Sequence, residues 1–299
     1  MALQAVGYIL LAGVMFGSVS VISRFMLGQF NPISYVSTRF LLSALVILAF
    51  YVFKIKGRTW PKSKTLIIRS VLYGVIVDTL EVVLYIAALQ YISAGLAATL
   101  NSVFPVVTVI LAFIFLPNEH ITWKTGLGVM LGLAGVILII SLGETGLTFS
   151  GETRMIGYLL LAGSGLVYSV GGIYARKYMT EFDTFDVVAF RIFGAAAVTT
   201  LMKFALDPHG IHQVTQTGAA LIIFSALIYV VGFQLQFYIL KRFGVSNQAM
   251  VSYILPIVSS ILGVLFLSEI ITAGMAVGMG FIIAGLMVVN SRRKAAVSP

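Results

Sequence analysis

Apolar runs of about 20 residues, broken by short polar stretches, recur from one end of the chain to the other. A helix of that length, rising about 1.5 Å per residue, crosses the hydrocarbon core of a bilayer. Ten segments fit: 5–27, 32–53, 66–90, 94–116, 123–141, 155–178, 184–205, 217–240, 245–267 and 272–290. Asn31-Pro32 opens the second, Pro61 lies in the basic loop before the third, and Asp207-Pro208-His209-Gly210 separates the seventh from the eighth. No connection exceeds roughly 15 residues, which leaves no room for a soluble domain. The first run has no Lys or Arg ahead of it, so it reads as a retained helix and not as a signal peptide.

The pattern is present twice. Residues 93–122 and 245–272 align on Pro105 and Pro256. Val107 then matches Val258, Ile110 matches Ile261, and Phe115-Leu116 matches Phe266-Leu267. After a one-residue gap, Glu119, Ile121 and Thr122 match Glu269, Ile271 and Thr272. The first helices match as well: Gly7-Tyr8 with LLAG at Leu10–Gly13, against Gly157-Tyr158 with LLAG at Leu160–Gly163. The unit is therefore five helices, expected over 1–145 and again over 150–299. An odd unit enters the membrane from the opposite side in its second copy. The expected fold is an all-α polytopic membrane protein of ten transmembrane helices in two inverted five-helix repeats, an arrangement typical of alternating-access transporters.

Composition agrees: 60% of the residues are hydrophobic and 10% charged, too little charge to cover a soluble domain of 299 residues. The formal charge of +9 changes the picture only through its placement. Lys54, Lys56, Arg58, Lys62, Lys64 and Arg69 precede or open the third helix, and Lys124, Arg176, Lys177, Lys241, Arg242, Arg292, Arg293 and Lys294 fall on the same side. The other side holds Arg24, Arg154 and Lys203. The bias predicts both termini in the cytoplasm and signals topology, with help from anionic lipid, and no nucleic-acid partner. There is no cysteine, and His120, His209 and His212 fall singly in predicted loops, so no metal site is expected. No cofactor is expected, and without a Walker loop there is no ATP hydrolysis by that route.

The residues quoted above, with Thr38-Arg39-Phe40-Leu41-Leu42, Ser93-Ala94-Gly95-Leu96, Phe190-Arg191 and Phe266-Leu267-Ser268-Glu269, resemble the drug/metabolite transporter superfamily in its ten-helix form of two EamA-type repeats. The resemblance spans nearly the whole chain. It implies a central cavity lined by helices 1, 3, 4, 6, 8 and 9, with helices 5 and 10 peripheral. Among the branches the chain is most similar to bacterial amino-acid exporters, the aromatic amino-acid type included. The motifs are specific for the fold and weak for the cargo.

Asp78 and Glu81 are the acids well inside a predicted span, three residues apart and so on one helix face. Glu81 lies roughly 21 Å along the axis from the cytoplasmic end, near the midplane. A charge there is costly in lipid, which points to a substrate-ammonium or proton site, or to a structural pair with Arg39. Gln234 is the approximate repeat partner of Glu81, which leaves the expected cavity electrically lopsided. Arg39 and Arg191 take equivalent places, and a structural role is expected for both, with Asp183 and Asp186 beside Arg191. Glu119 and Glu269 each precede a helix, where a carboxylate opposes the helix dipole.

Asn101 is expected to face the region of Ser252, one turn before each proline, and Tyr85, Tyr168, Tyr174, Tyr238 and Tyr253 supply amphipathic rings. Pro105 and Pro256 are expected to kink their helices and act as gating hinges. Gly128/Gly132 and Gly274/Gly278 form GxxxG motifs for close helix packing, within the monomer or across a homodimer.

The expected function is secondary transport: export of small amphipathic metabolites, amino acids with aromatic or other apolar side chains foremost, across the inner membrane through a central cavity. The alternatives are export of cationic drugs, carriage of phosphorylated or nucleotide-linked sugars, an intramembrane enzyme, and a structural subunit. An anionic cargo wants several basic residues in the cavity, and Arg39 and Arg191 are the candidates. An intramembrane enzyme wants a catalytic dyad, and Asp78/Glu81 is the sole pairing in view.

Overall fold

The structure, a computed structural model, describes residues 3–104, 107–108, 111, 123–147, 154–243 and 251–290. Its helices are α1 (Leu3–Met26), α2 (Pro32–Val52), α3 (Lys64–Ala88), α4 (Ala94–Asn101), α5 (Trp123–Ser141), α6 (Arg154–Tyr178), α7 (Thr184–Leu206), α8 (Gln216–Phe243), α9 (Val251–Leu267) and α10 (Ala273–Asn290). Residues 105–106, most of 109–122 and 244–250 fall outside the described residues, so Pro105, Glu119 and His120 do too.

Local chemistry sets the helix starts. Pro32 occupies the first turn of α2, where its missing N–H is no loss. The Ser63 hydroxyl accepts from Leu66 N at 3.3 Å and starts α3, and Ser93 does the same for α4 from Leu96 N at 3.1 Å. Asp183 takes the N–H groups of Phe185 and Asp186 at 2.9 and 3.2 Å and starts α7. Thr215 and Thr272 accept from Gly218 N and Met275 N at 3.0 and 3.1 Å, ahead of α8 and α10.

The polarity is that of a membrane protein. Six helices, α1, α2, α3, α6, α7 and α8, are long and apolar enough to cross a bilayer, and α5, α9 and α10 hold shorter apolar stretches. Large apolar side chains face outward, among them Leu45, Ile76, Leu159, Ile223 and Phe266. Small hydroxyl residues such as Ser37, Ser43, Ser164, Ser225 and Ser260 are buried. In lipid, association of helices rests on close contact and interhelical hydrogen bonds, so small and polar residues belong inside.

The helix neighbours obey a twofold rule. α1 packs on α8 and α9, and α6, its counterpart, packs on α3 and α4. α2 packs on α8 as α7 packs on α3, while α2–α7, α4–α9 and α5–α10 pair with themselves under the exchange. The α2–α7 pair shows the inversion. The start of α2 meets the end of α7, where Ser34 Oγ donates to Asp207 Oδ2 at 2.7 Å and Asn31 Nδ2 to Asp207 Oδ1 at 2.9 Å. The other end of α2 meets the start of α7, where Tyr51 OH donates to Asp186 Oδ1 at 2.8 Å and Arg58 pairs with Asp183 at 2.7 Å. Equivalent helices thus run antiparallel, and the fold is a pair of inverted five-helix repeats.

Other expectations are refined. The GxxxG glycines serve contacts inside the chain: a side chain at Gly285 meets the backbone of Gly128 and Gly132, and one at Gly278 meets Ile139 and Gly135 on α5. Glu269 is a cap, but not for the helix that follows it. Its carboxylate accepts from Ala94 N at 2.7 Å and Gly95 N at 3.2 Å, capping α4 of the first repeat. Burial raises the Glu269 carboxyl above the usual range, opposed by those two N–H bonds and by the Arg24 charge. The physical reason for the correction is distance: the inverted repeat brings the end of α9 to the start of α4, whose free N–H groups are nearer.

Candidate functional site

The site is built where α3 crosses α7. Two glycines set the crossing. A side-chain carbon at Gly74 would enter the Arg191 backbone, and one at Gly194 would lie 2.5 Å from the Val71 carbonyl oxygen. Within α3, residues Gly74–Asp78 form one π-helical turn, and the Thr79 hydroxyl donates to the freed Gly74 carbonyl at 3.0 Å. Such a turn inserts a residue into the helix and re-aims the side chains after it. Gly74→Ala forces the helices apart, at a cost of about 1–3 kcal/mol. The expected result is a lower melting temperature in detergent, and an unchanged one would show that the crossing tolerates a methyl.

Close crossing lets Asp78 reach Arg191. The pair is bidentate, with Arg191 Nε donating to Oδ2 at 3.0 Å and Nη2 to Oδ1 at 2.7 Å. Both residues are buried, and the guanidinium also lies over the Tyr73 ring at 4.1 Å and the Phe233 ring at 5.3 Å. This corrects two expectations. Arg39 is not the partner of Asp78, and Asp183 and Asp186 are not the partners of Arg191. Those two acids serve the α7 cap, Tyr51 and Arg58, at the surface end of the helix.

Arg39 has a different environment. It is 1% exposed, and its guanidinium lies over Tyr229 at 4.5 Å and Tyr35 at 5.1 Å. Nη1 donates to Ser23 Oγ at 3.2 Å, and that hydroxyl also bonds Tyr35 OH at 3.1 Å. Its Nε is buried with no hydrogen-bond partner. The two arginines therefore share a design: each stacks on a tyrosine from the third helix of the other repeat, Arg39 on Tyr229 and Arg191 on Tyr73. Matching the helices through these tyrosines sets Gln234 against Asp78, where the sequence alignment set it against Glu81.

Glu81 sits one turn beyond Asp78 and is half-buried. The charges that face it are Asp78, Arg39 and Arg191. Among the described residues its carboxylate accepts no hydrogen bond. Around it, Tyr85 OH bonds Ser20 Oγ at 2.9 Å, and Tyr168 on α6 approaches the Gln236 side chain on α8. The Tyr229 hydroxyl is buried without a partner. The expected lopsidedness is one of position: both acids come from α3, and one arginine comes from each repeat.

The remaining candidates are spread out. Gln234 Nε2 donates to the Phe185 carbonyl at 3.5 Å, at the start of α7. Asn101 Oδ1 is buried without a partner, and it is the neighbouring Ser102 whose hydroxyl reaches the Ser252 carbonyl, at 2.8 Å. Tyr253 and Tyr174 border the core, and Tyr238 meets Tyr8 edge to face at 5.5 Å near the end of α8. Pro256 lies inside α9, which is helical on both sides of it, and α1 presses on that stretch: side chains at Gly13 and Gly17 would meet Ile254 and Val258. A separate cavity of about 480 Å³ lies where α1, α3 and α9 end, lined by Arg24, Gln90, Glu269, Phe25, Leu147 and Leu267. Ser23, Tyr73, Tyr229 and Gln236 were not legible as site residues. The signal that finds two of them is the spacing Tyr73…Asp78 and Tyr229…Gln234, five residues in both repeats.

Comparison with known proteins agrees with this architecture. The chain is 24% identical to the uncharacterized transporter YvbV of Bacillus subtilis (strain 168), over 94% of this chain and 90% of that one. It is 25% identical to a probable terminal-alkyne amino-acid exporter of Streptantibioticus cattleyicolor, over 68% of this chain and 66% of that one. A solved crystal structure with 19% identity superposes over 96% of both chains with a TM-score of 0.68, which shows the shared fold. Residues 3–141 and again 155–291 match the EamA-like transporter family, and with the duplicated, inverted bundle around a charged centre the chain belongs to that family of membrane transporters and not to an enzyme class.

Proposed function

We propose that the protein is a secondary transporter that exports small amphipathic metabolites, foremost amino acids with aromatic or other apolar side chains, by alternating access. The observation that carries this reading is Glu81: a half-buried carboxylate deep in α3, between the repeats, ringed by tyrosines and facing two arginines. Such a mixture of rings and balanced charge suits a zwitterion with an apolar side chain. The exporter among the relatives supports an amino-acid cargo. The two half-bundles, 1–145 and 150–299, rock about the site, with Pro105 and Pro256 as the proposed hinges. One chain supplies both halves, so the proposed working unit is the monomer.

The test is counterflow. Proteoliposomes preloaded with unlabelled phenylalanine are expected to accumulate labelled phenylalanine above protein-free liposomes, and a repeat with a pH gradient reads any coupling to protons. No accumulation for any amino acid would defeat the reading. Orientation is tested separately. The Lys/Arg bias supports a topology with both termini cytoplasmic, and the proposed location is the inner membrane. Tags at residue 299 and in the 54–64 loop are expected to be unreachable from outside intact cells, and one near 147 reachable. External labelling of either basic segment would reverse the orientation.

A further inference from the structure

The two arginines hold equivalent places in an inverted pair of repeats, yet only one is satisfied. Arg191 fills its fork with the Asp78 carboxylate through two hydrogen bonds. Arg39 is as deeply buried, and among the described residues it makes one hydrogen bond, to the neutral Ser23 hydroxyl, and no ion pair within 4.0 Å. A guanidinium keeps its charge at any working pH and offers five N–H donors in a planar fork shaped for a carboxylate. Leaving such a group buried with Nε unmatched is costly, so the position is strained toward an anion.

The surroundings hold Arg39 in place. α2 is tied at its start by Ser34 to Asp207 and at its middle by Ser43 Oγ to the Ala226 carbonyl at 3.2 Å. Tyr35 and Tyr229 stack on the guanidinium, and the Tyr229 hydroxyl beside it also lacks a partner. Glu81 lies within electrostatic reach of Arg39, and no hydrogen bond or ion pair within 4.0 Å joins the two. A buried cation with an unmatched donor and an unbonded acid within its electrostatic reach are complementary to a ligand that carries a carboxylate and an ammonium group.

We propose that Arg39 is the carboxylate anchor of the cargo site, with Glu81 as the ammonium partner, so that the cargo is a free α-amino acid whose carboxylate takes in one repeat the place that Asp78 takes in the other. This rests on the amino-acid reading above and narrows it. Amines without a carboxylate leave Arg39 unmatched, and sugar phosphates leave Glu81 unmatched.

Full-length protein in proteoliposomes tests this by competition against labelled phenylalanine counterflow. The competitors are phenylalanine, phenylalaninamide, which lacks the carboxylate, and 3-phenylpropionate, which lacks the ammonium group. In the wild type both analogues are expected to compete at least about 30-fold more weakly than phenylalanine, the loss of one charge-assisted contact. Arg39→Lys keeps the charge and removes the fork. It is expected to weaken phenylalanine about 10-fold and leave phenylalaninamide unchanged, which collapses the ratio. Glu81→Gln is expected to collapse the ratio for 3-phenylpropionate instead. Phenylalaninamide competing as well as phenylalanine in the wild type, or Arg39→Lys weakening both equally, overturns the anchor while the transport reading stands. The wild-type arm needs no variant and so does not depend on folding. Failure of every amino acid to exchange above protein-free liposomes overturns the transport reading and the anchor together.

Discussion

Arg191→Met is expected to be the most destabilising single change in the bundle, and Asp78→Asn the next. Each residue is buried and satisfied by the other through a bidentate pair. Removing one member strands the other in a medium that solvates it poorly, at a cost of about 3–5 kcal/mol. The two changes are unequal. Without Arg191 the carboxylates of Asp78 and Glu81 share Arg39 alone, whereas without Asp78 the charges of Glu81, Arg39 and Arg191 still include one acid to balance them. Arg191→Met should therefore lower expression and melting temperature further than Asp78→Asn. Combining them returns the site to one acid and one arginine, and most of the loss should be recovered. A double variant as unstable as the sum of the singles would show that the pair contributes nothing as a pair.

Glu81→Gln is expected to do the reverse, sparing the fold and weakening transport. Its carboxylate holds no helix end and no partner among the described residues, so the isosteric amide should shift stability by less than about 1 kcal/mol. Its loss from a cargo ammonium group forfeits a charge-assisted contact, about 1.5–3 kcal/mol or roughly 10–100-fold in transport. The two neighbouring acids on α3 are thus predicted to separate cleanly: one measured by melting, the other by flux. A Glu81→Gln protein that melts early and transports normally would exchange their roles.

How far the sequence carried this follows from the physics of each feature. Helix existence depends on local length and hydropathy, so the described helices match the predicted spans closely: Trp123–Ser141 against 123–141, and Thr184–Leu206 against 184–205. The inverted repeat was equally legible, because duplication leaves its trace in Pro105/Pro256 and in the two LLAG stretches. Pairings across the bundle were not. Asp183 and Asp186 are near Arg191 in sequence, but its partner lies 113 residues away on a helix brought close by Gly74 and Gly194. The π turn at Gly74–Asp78 shifts the side chains that follow it, and a regular 3.6-residue period cannot foresee that shift. Glu269 was recognisable as a cap from its position, while the identity of the capped helix depends on which helix ends the repeat brings together.

The central claim is that cargo sits between the repeats, beside Glu81, and is reached from each side in turn. The chain has no cysteine, so a single introduced thiol reports on that site without background. Tyr168→Cys places it on α6, across from Gln236 and facing the Glu81 and Arg191 charges. In membranes of defined orientation, a membrane-impermeant thiol reagent applied to either face is expected to label this variant, and phenylalanine is expected to slow the labelling from both faces. Labelling from neither face, or labelling that phenylalanine leaves unchanged, would contradict the account.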